Sequence, residues 1–247
     1  MPFAILSIRQ RKEVLQRAMN ITKFSKVGSY HKYLNQQNQD YLCSIETEDF
    51  AVIMLADGAT GCKEGQEGAW LACDAVAEII KRDGSGFFQY SEKKISYLLI
   101  EQILYWLETH IEEGEDILEY GSTFLLAFIE KENGRMVLVN LGDGAVLSVN
   151  PTGVEYRIQP KQFQGKPCLT VTDGADEAMQ VKVENLAFGE RVLLGSDGFL
   201  EQLSDSKEGN EIRKRLCGND LKGVNKKLSE MENVDDCSYI VFTRERI

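Results

Sequence analysis

The sequence predicts an α+β protein built as a four-layer αββα sandwich, in which two central antiparallel sheets are flanked by helices. Strand-like segments follow one another in meander order, with Asn133-Gly134 as a hairpin signal between two of them. Two amphipathic helical segments interrupt the strands, and helices return before the last strand, which is not an alternating βαβ order. Several strands, such as the one that starts at Phe50, are apolar on both faces, so each sheet must be covered on both sides.

The first 26 residues predict a basic helical extension, and residues 27–247 predict the main domain. A broken apolar stripe indicates a helix over residues 8–24, and its members are Ile8, Val14, Leu15, Ala18 and Ile21. The single acid of this segment is Glu13, and its basic residues are Arg9, Arg11, Lys12, Arg17, Lys23 and Lys26. We expect these charges to face water beside an acidic body, because charge runs are usually solvated.

After this extension the sequence predicts an antiparallel meander of three strands, at residues 27–33, at 41–46 and from 50 onward. A helix follows at residues 66–82, with Ala69, Cys73 and Val76 on its apolar face. Ser91 is placed to cap a second helix.

Strands resume after Gly121, and the later elements are predicted from apolar runs bounded by turn residues. The predicted strands cover residues 122–129, 135–141, 145–150, 154–158, 191–195 and 239–243. Helices are predicted near residues 209–217 and 220–231. Residues 160–180 predict a long mobile loop, which is a candidate for substrate selection because loops beside rigid sites carry recognition.

Composition excludes several classes of protein. With 247 residues and 43% hydrophobic residues, the chain can bury one sizeable core, and we expect a monomer. The net charge of −11 argues against a nucleic-acid surface, which needs a basic face. The apolar runs are shorter than the roughly 20 residues that cross a bilayer, and the amino terminus lacks signal-peptide order, so we expect a cytoplasmic protein without membrane contact. Six scattered cysteines with no Cys-x-x-Cys pair predict reduced thiols and no zinc site.

The strongest chemical signal is a set of apolar runs that each end in an aspartate and a glycine. These pairs are Asp57-Gly58, Asp143-Gly144 and Asp197-Gly198. A carboxylate at the end of a buried strand is rigidly held, and carboxylates are the ligands that Mg²⁺ and Mn²⁺ prefer. Asp40 and Asp235 also lie near strand ends. Two ions held in this way can clamp a phosphoryl group and activate a water for in-line attack.

In their order along the chain, these segments resemble the metal-dependent protein phosphatases of type 2C, in a bacterial-type branch. The resemblance covers roughly residues 27–243. It rests on Asn38-Gln-Asp40, Leu55-Ala-Asp-Gly58, Glu67-Gly-Ala69, Gly121-Ser-Thr123, Asn140-Leu-Gly-Asp143, Gly195-Ser-Asp-Gly198 and Asp235-Asp-Cys-Ser238. It implies the αββα sandwich and hydrolysis of phosphoserine and phosphothreonine in a phosphorylated protein substrate, a role in signalling.

The resemblance also implies roles for individual residues. Asp57 would bridge two Mn²⁺ or Mg²⁺ ions, and the Gly58 carbonyl would bind the second ion. Asp197 and Asp235 would hold the first ion, so that Asp57, Asp197 and Asp235 are the catalytic residues.

Three further acidic or amide residues receive supporting roles from the same resemblance. Asp40, next to Gln39 in the place of a frequent glutamate, would act on the ions through water. Asp143 would form a weaker third metal site together with Asp197, although Gly-Ala follows Asp143 where the family often has Ser-Arg.

The sequence departs from the family where a substrate-binding arginine often precedes the aspartate that matches Asp40. Asn35 and Gln36 stand there instead. His31 or Lys32, in a predicted strand, is therefore the candidate ligand of the substrate phosphate, and alternation along a strand would aim only one of them at the ions. The alternative function is a catalytically silent binding module that docks phosphoproteins or regulates a partner. Mn²⁺-dependent turnover distinguishes the two.

Overall fold

The computed structural model describes residues 20–163, 165–204 and 206–245. Residues 1–19 of the predicted basic extension therefore lie outside the described residues. The helix predicted over residues 8–24 is wrong at its end, because Ile21–Lys26 forms strand β1. This strand pairs with the last strand of the chain, so that tertiary pairing determines its conformation. The division of the chain at residue 26 stays a prediction.

Two five-stranded antiparallel sheets form the centre of the molecule. The first sheet has the order β1-β12-β11-β6-β7, with β6 at Ala145–Asn150, β7 at Gly153–Ile158, β11 at Arg191–Gly195 and β12 at Cys237–Thr243. The second has the order β10-β5-β4-β3-β2, with β2 at Asp40–Glu46, β3 at Phe50–Asp57, β4 at Phe124–Glu130, β5 at Arg135–Leu141 and β10 at Gln180–Asn185. A short hairpin joins β8 (Gln162–Phe163) to β9 (Lys166–Pro167).

Helices lie on the outer faces of both sheets. Their bounds are α1 at Ser29–Tyr33, α2 at Gly65–Asp83, α3 at Glu92–His110, α4 at Ala175–Ala178, α5 at Asp197–Gln202, α6 at Lys207–Cys217 and α7 at Leu221–Glu230. Two 3₁₀ turns cover Gly84–Gln89 and Ile117–Tyr120. The predicted cap of α3 is present, since the Ser91 hydroxyl accepts a hydrogen bond from the Lys94 amide at 3.3 Å.

Three apolar cores lie between these layers and hold them together. The middle core packs the two sheets on each other, with Ile53 of one sheet and Ile240 of the other among its members. An outer core joins the second sheet to α2 and α3, and another joins the first sheet to α5, α6 and α7. Each large side chain buried there contributes roughly 1.5–3 kcal/mol to stability. The predicted αββα sandwich is therefore confirmed.

The first predicted strand, at residues 27–33, is wrong. Ser29–Tyr33 forms the short helix α1, whose first amides bond to the segment before β12: Ser29 N donates to Asn233 O at 2.9 Å and Tyr30 N to Val234 O at 3.0 Å. These contacts are to residues about 200 positions away in the sequence. The local pattern of residue types contains no information about them, so the helix was not predicted.

The predicted loop at residues 160–180 contains more structure than expected. It holds the β8–β9 hairpin and the four-residue helix α4, and β10 begins at its last residue. Strand β10 was missed although Gln180–Asn185 alternates polar and apolar residues, which is the pattern of a half-buried strand. It lies at the edge of the second sheet and pairs with β5. Helix α5 was missed because it begins at Asp197 itself, directly after a strand.

Candidate active site

Strand pairing brings five aspartates to one edge of the sandwich. In the second sheet Asp40, the first residue of β2, is the direct cross-strand partner of Asp57, the last residue of β3. Directly opposite residues in an antiparallel pair have their Cβ atoms about 4.5–5.5 Å apart. The two carboxylates therefore start from neighbouring positions.

The first sheet supplies the other carboxylates at the same edge. Gly195 at the end of β11 pairs with Tyr239 near the start of β12 and with Ala145 at the start of β6. Asp197 follows β11, Asp235 precedes β12, and Asp143 precedes β6, so these three aspartates meet where the strands pair. Asp57 lies near these three aspartates, since the charges of Asp197, Asp235 and Asp143 all act on its carboxylate.

Burial and mutual repulsion raise the pKa values of four of these aspartates, Asp40, Asp57, Asp143 and Asp197. Burial raises the pKa of Asp40 to about 8, aided by Asp236, Asp197 and Asp235 and opposed by the nearby Ser238 hydroxyl. Burial and then Asp40 raise the pKa of Asp57 well above its ordinary value. No basic residue is among the main influences on these two carboxylates.

The same causes act on Asp197 and Asp143. Burial, Asp143 and Asp235 raise the pKa of Asp197 to about 7. Burial raises the pKa of Asp143, while the Gln162 amide opposes the rise by donating to Asp143 Oδ2 at 3.3 Å. Like charges crowded in a buried place are costly unless protons or cations neutralise them.

The donor set fits a hard divalent cation in its chemistry. Both carboxylate oxygens of Asp40 are buried and have no hydrogen-bond partner among the described residues, and the Ser238 hydroxyl donates instead to Ser25 Oγ at 2.9 Å. An unpartnered buried carboxylate next to other carboxylates is the arrangement that a cation or its bound water would satisfy. Within residues 20–245, excluding the undescribed positions, no three His, Cys, Asp or Glu side chains stand close enough together to form a finished metal site. The suitability of this cluster for a divalent cation therefore rests on its oxygen donors and on their convergence at one edge of the sheets.

In the metal-free protein, we expect the free energy of unfolding to fall as the pH rises from about 4 to about 8. The pKa of Asp40 is about 8 in the fold and 3.8 ordinarily, so between these values the folded state binds more protons than the unfolded state. Urea unfolding in excess chelator at a series of pH values measures this slope. The Asp40→Asn variant should flatten it, and an unchanged slope in that variant would contradict the assignment.

Two glycines let the aspartate-bearing turns pack closely. A Cβ on Gly58 would meet the Gly65 carbonyl oxygen at 2.3 Å, and a Cβ on Gly198 would meet the Asp236 carbonyl oxygen at 2.1 Å. Contacts this short are not tolerated, so any side chain at either position would push the segments apart. The glycine after each aspartate is therefore required by packing, in addition to its use in turns.

The structure places His31 away from the role predicted for it. His31 is 1% exposed, and its Nδ1 lies 3.0 Å from Oδ2 of Asp236, which is itself 2% exposed. A side chain buried against a carboxylate is not available to a substrate phosphate. The strand argument for His31 fails because α1 is a helix, and Lys32, which is exposed on α1, stays a prediction.

Asp236, which stands beside Asp235 in the motif, has a structural role that the sequence did not predict. Its Oδ1 accepts a hydrogen bond from Gly28 N at 2.7 Å, and its Oδ2 accepts one from Gln39 N at 2.6 Å. It therefore ties α1 and the start of β2 to the segment that carries Asp235. The Asp235-Asp236 doublet marks the place in the sequence, but only the fold shows which carboxylate points inward.

The family model for protein phosphatase 2C matches residues 27–231. The chain belongs to the protein phosphatase 2C family. The match ends before Asp235, so the position of that residue in the site rests on the pairing of β11 with β12. No curated protein is a detectable sequence match.

Solved structures of this fold cover nearly the whole chain. A bacterial serine phosphatase superposes with a TM-score of 0.69 at 18% identity, covering 93% of this chain and 99% of the other. The serine/threonine phosphatase Stp1 from Staphylococcus aureus gives a TM-score of 0.60 at 18% identity, with 92% and 95% covered. RsbX in complex with magnesium gives 0.57 at 13% identity, with 90% and 92% covered. At these identities the similarity establishes the fold.

Proposed function

We propose that this protein phosphatase 2C family member hydrolyses phosphoserine and phosphothreonine in a phosphorylated protein, using two Mn²⁺ or Mg²⁺ ions. The observation that carries the proposal is the convergence of Asp40, Asp57, Asp143, Asp197 and Asp235 at one edge of the two sheets. The pKa values of Asp40, Asp57, Asp143 and Asp197 are raised there, and no basic residue is among the main influences on Asp40 or Asp57. A cluster of this kind lowers the stability of the folded protein unless it binds a cation.

Asp57, Asp197, Asp235 and the Gly58 carbonyl are the proposed ligands. Two ions bound there would lower the pKa of a shared water and neutralise charge on the phosphoryl group. Asp57, at the end of β3, faces Asp40 and is influenced by the charges of Asp197 and Asp235, so it would contact both ions as the family resemblance implies. Asp197 and Asp235 would hold one of them from the paired ends of β11 and β12.

The remaining residues of the site would orient water and substrate. The unpartnered oxygens of Asp40 can accept hydrogen bonds from metal-bound water. Asp143, whose orientation Gln162 constrains, would join Asp197 at a weaker third ion site. Lys32 is the proposed cationic contact to the substrate phosphate.

A catalytically silent binding module is the second candidate. The absence of an arginine before Asp40 favours this candidate, since Asn35 and Gln36 stand where the family often has that arginine.

None of the helices in the described part of the chain is both long and apolar enough to cross a membrane. We propose a cytoplasmic monomer for either function.

We expect hydrolysis of an aryl phosphate and of phosphoserine peptides only with added Mn²⁺ or Mg²⁺, because every proposed ligand is an oxygen. Steady-state kinetics with each metal and with excess chelator measures this. Equal activity in chelator would remove the metal from the mechanism. Binding of Mn²⁺ by calorimetry without turnover of either substrate would instead support the silent module.

A further inference from the structure

A pocket of about 490 Å³ opens beside the aspartate cluster and shares Asp40 as part of its wall. One side is formed by the residues before β2, and the other by the first turn of α2. Gln66 Nε2 of α2 donates to Gln37 Oε1 at 3.3 Å, which joins the two sides. A phosphoprotein whose phosphate lies at the aspartates would therefore place a neighbouring residue near this pocket.

The charge of the pocket favours a cationic guest. Its one basic side chain among the lining residues is Lys63, whose Nζ lies 3.2 Å from Oε1 of Glu64 in an exposed pair. Glu67 also lines the pocket, is exposed, and makes no ion pair within the described part of the chain. Once Lys63 and Glu64 offset each other, Glu67 remains without a partner of opposite charge within the described part of the chain. The positive end of the α2 dipole opposes this only partly, at about half a unit charge.

Two uncharged groups in the pocket also suit a cationic donor. Gln39 is 6% exposed, and its Oε1 is buried with no hydrogen-bond partner among the described residues. A buried acceptor left unpaired costs about 1–3 kcal/mol, and an N–H donor from a ligand would recover that cost. Trp70 lines the same pocket and is 42% exposed, so its ring is accessible to a flat cation.

We propose that this pocket receives an arginine or lysine side chain of the phosphoprotein substrate, next to the phosphorylated residue. The guest would lie against the Trp70 ring and approach the Glu67 carboxylate, and a rotation of the Gln39 side chain would let it donate to Gln39 Oε1. Arginine suits the pocket better than lysine, because its planar group donates several hydrogen bonds while it stacks on an aromatic ring. This inference rests on the proposed function, since it assumes that a phosphate binds at the aspartates.

The test compares phosphoserine peptides that carry one arginine, moved along the peptide one position at a time, with peptides carrying alanine or glutamate there. A phosphonate replaces the phosphate, so that equilibrium binding is measured by fluorescence anisotropy in Mn²⁺ without turnover. At one position arginine should bind about three- to tenfold more tightly than alanine, and glutamate more weakly. In the Glu67→Gln and Trp70→Ala variants this ratio should fall towards one, and Trp70→Phe should largely restore it.

Glu48→Gln is the matched control, because it removes the same charge from an exposed residue at the opposite end of the β2–β3 hairpin. It should leave the ratio unchanged. No preference for arginine at any position would overturn the proposal, and so would a preference for glutamate, which would make the pocket an anion site of Lys63. Turnover of an aryl phosphate is measured separately. Arginine-dependent binding without any turnover would refute the phosphatase and keep the pocket assignment.

Discussion

The Asp57→Ala variant is expected to lower kcat with saturating Mn²⁺ by about a thousandfold or more, and Asp197→Ala by a similar factor. Each change would remove a carboxylate from the ions that activate water, and metal catalysis supplies several kcal/mol of transition-state stabilisation. The pKa of both carboxylates is raised by burial and by neighbouring aspartates, so each is held where a cation would relieve repulsion. Mn²⁺ affinity measured by calorimetry should fall in parallel.

Asp49→Ala is the control for this experiment. Asp49 is an exposed aspartate that immediately precedes β3, whereas Asp57 ends the same strand. Its removal should leave both kcat and Mn²⁺ affinity near those of the unmutated protein. If Asp57→Ala kept near-normal turnover, the catalytic centre would have to lie elsewhere.

The Asp236→Ala variant is expected to lower the free energy of unfolding by about 3–5 kcal/mol, because it leaves the buried partners of the Asp236 carboxylate without an acceptor. Gly28 N and Gln39 N would lose their acceptor, and His31 would lose its contact to Oδ2. Urea unfolding in excess chelator measures the loss without any contribution from bound metal. Asp236→Asn should lose less, since one amide oxygen still accepts a hydrogen bond while the shape is kept.

Asp220→Ala provides the comparison for Asp236→Ala. Asp220 is an exposed aspartate that caps α7 by accepting from Gly223 N at 2.9 Å, so its loss should cost only about 1 kcal/mol. If Asp236→Ala lowered the free energy of unfolding by no more than Asp220→Ala, water would have replaced the buried contacts. Mn²⁺ titration of Asp236→Asn then reports whether the link from Asp236 to β2 also positions Asp40.

Where the chain forms buried strands between turn residues, the sequence predicted the structure closely. The bounds of β5, β6 and β11 agree with those predicted, because an apolar run leaves few alternatives once glycine and asparagine mark its ends. The αββα layering was also predictable, since strands apolar on both faces must be covered on both sides. Strand β1 was assigned to a helix because its residues continue a helical apolar stripe, and only its pairing with β12 determines its conformation. Strand β10 was missed although its residues alternate as in a half-buried strand.

The sequence alone showed that several apolar runs end in an aspartate, and the carboxylates indicated the kind of chemistry that such positions suit. Only the tertiary structure decided which charged groups share a site. Sequence proximity suggested that His31 serves the substrate, whereas the fold buries it against Asp236, a residue more than two hundred positions away. The same folding brings Gln39 and Glu67 to one pocket. Such pairings depend on long-range strand register and helix docking, which no local pattern of residue types encodes.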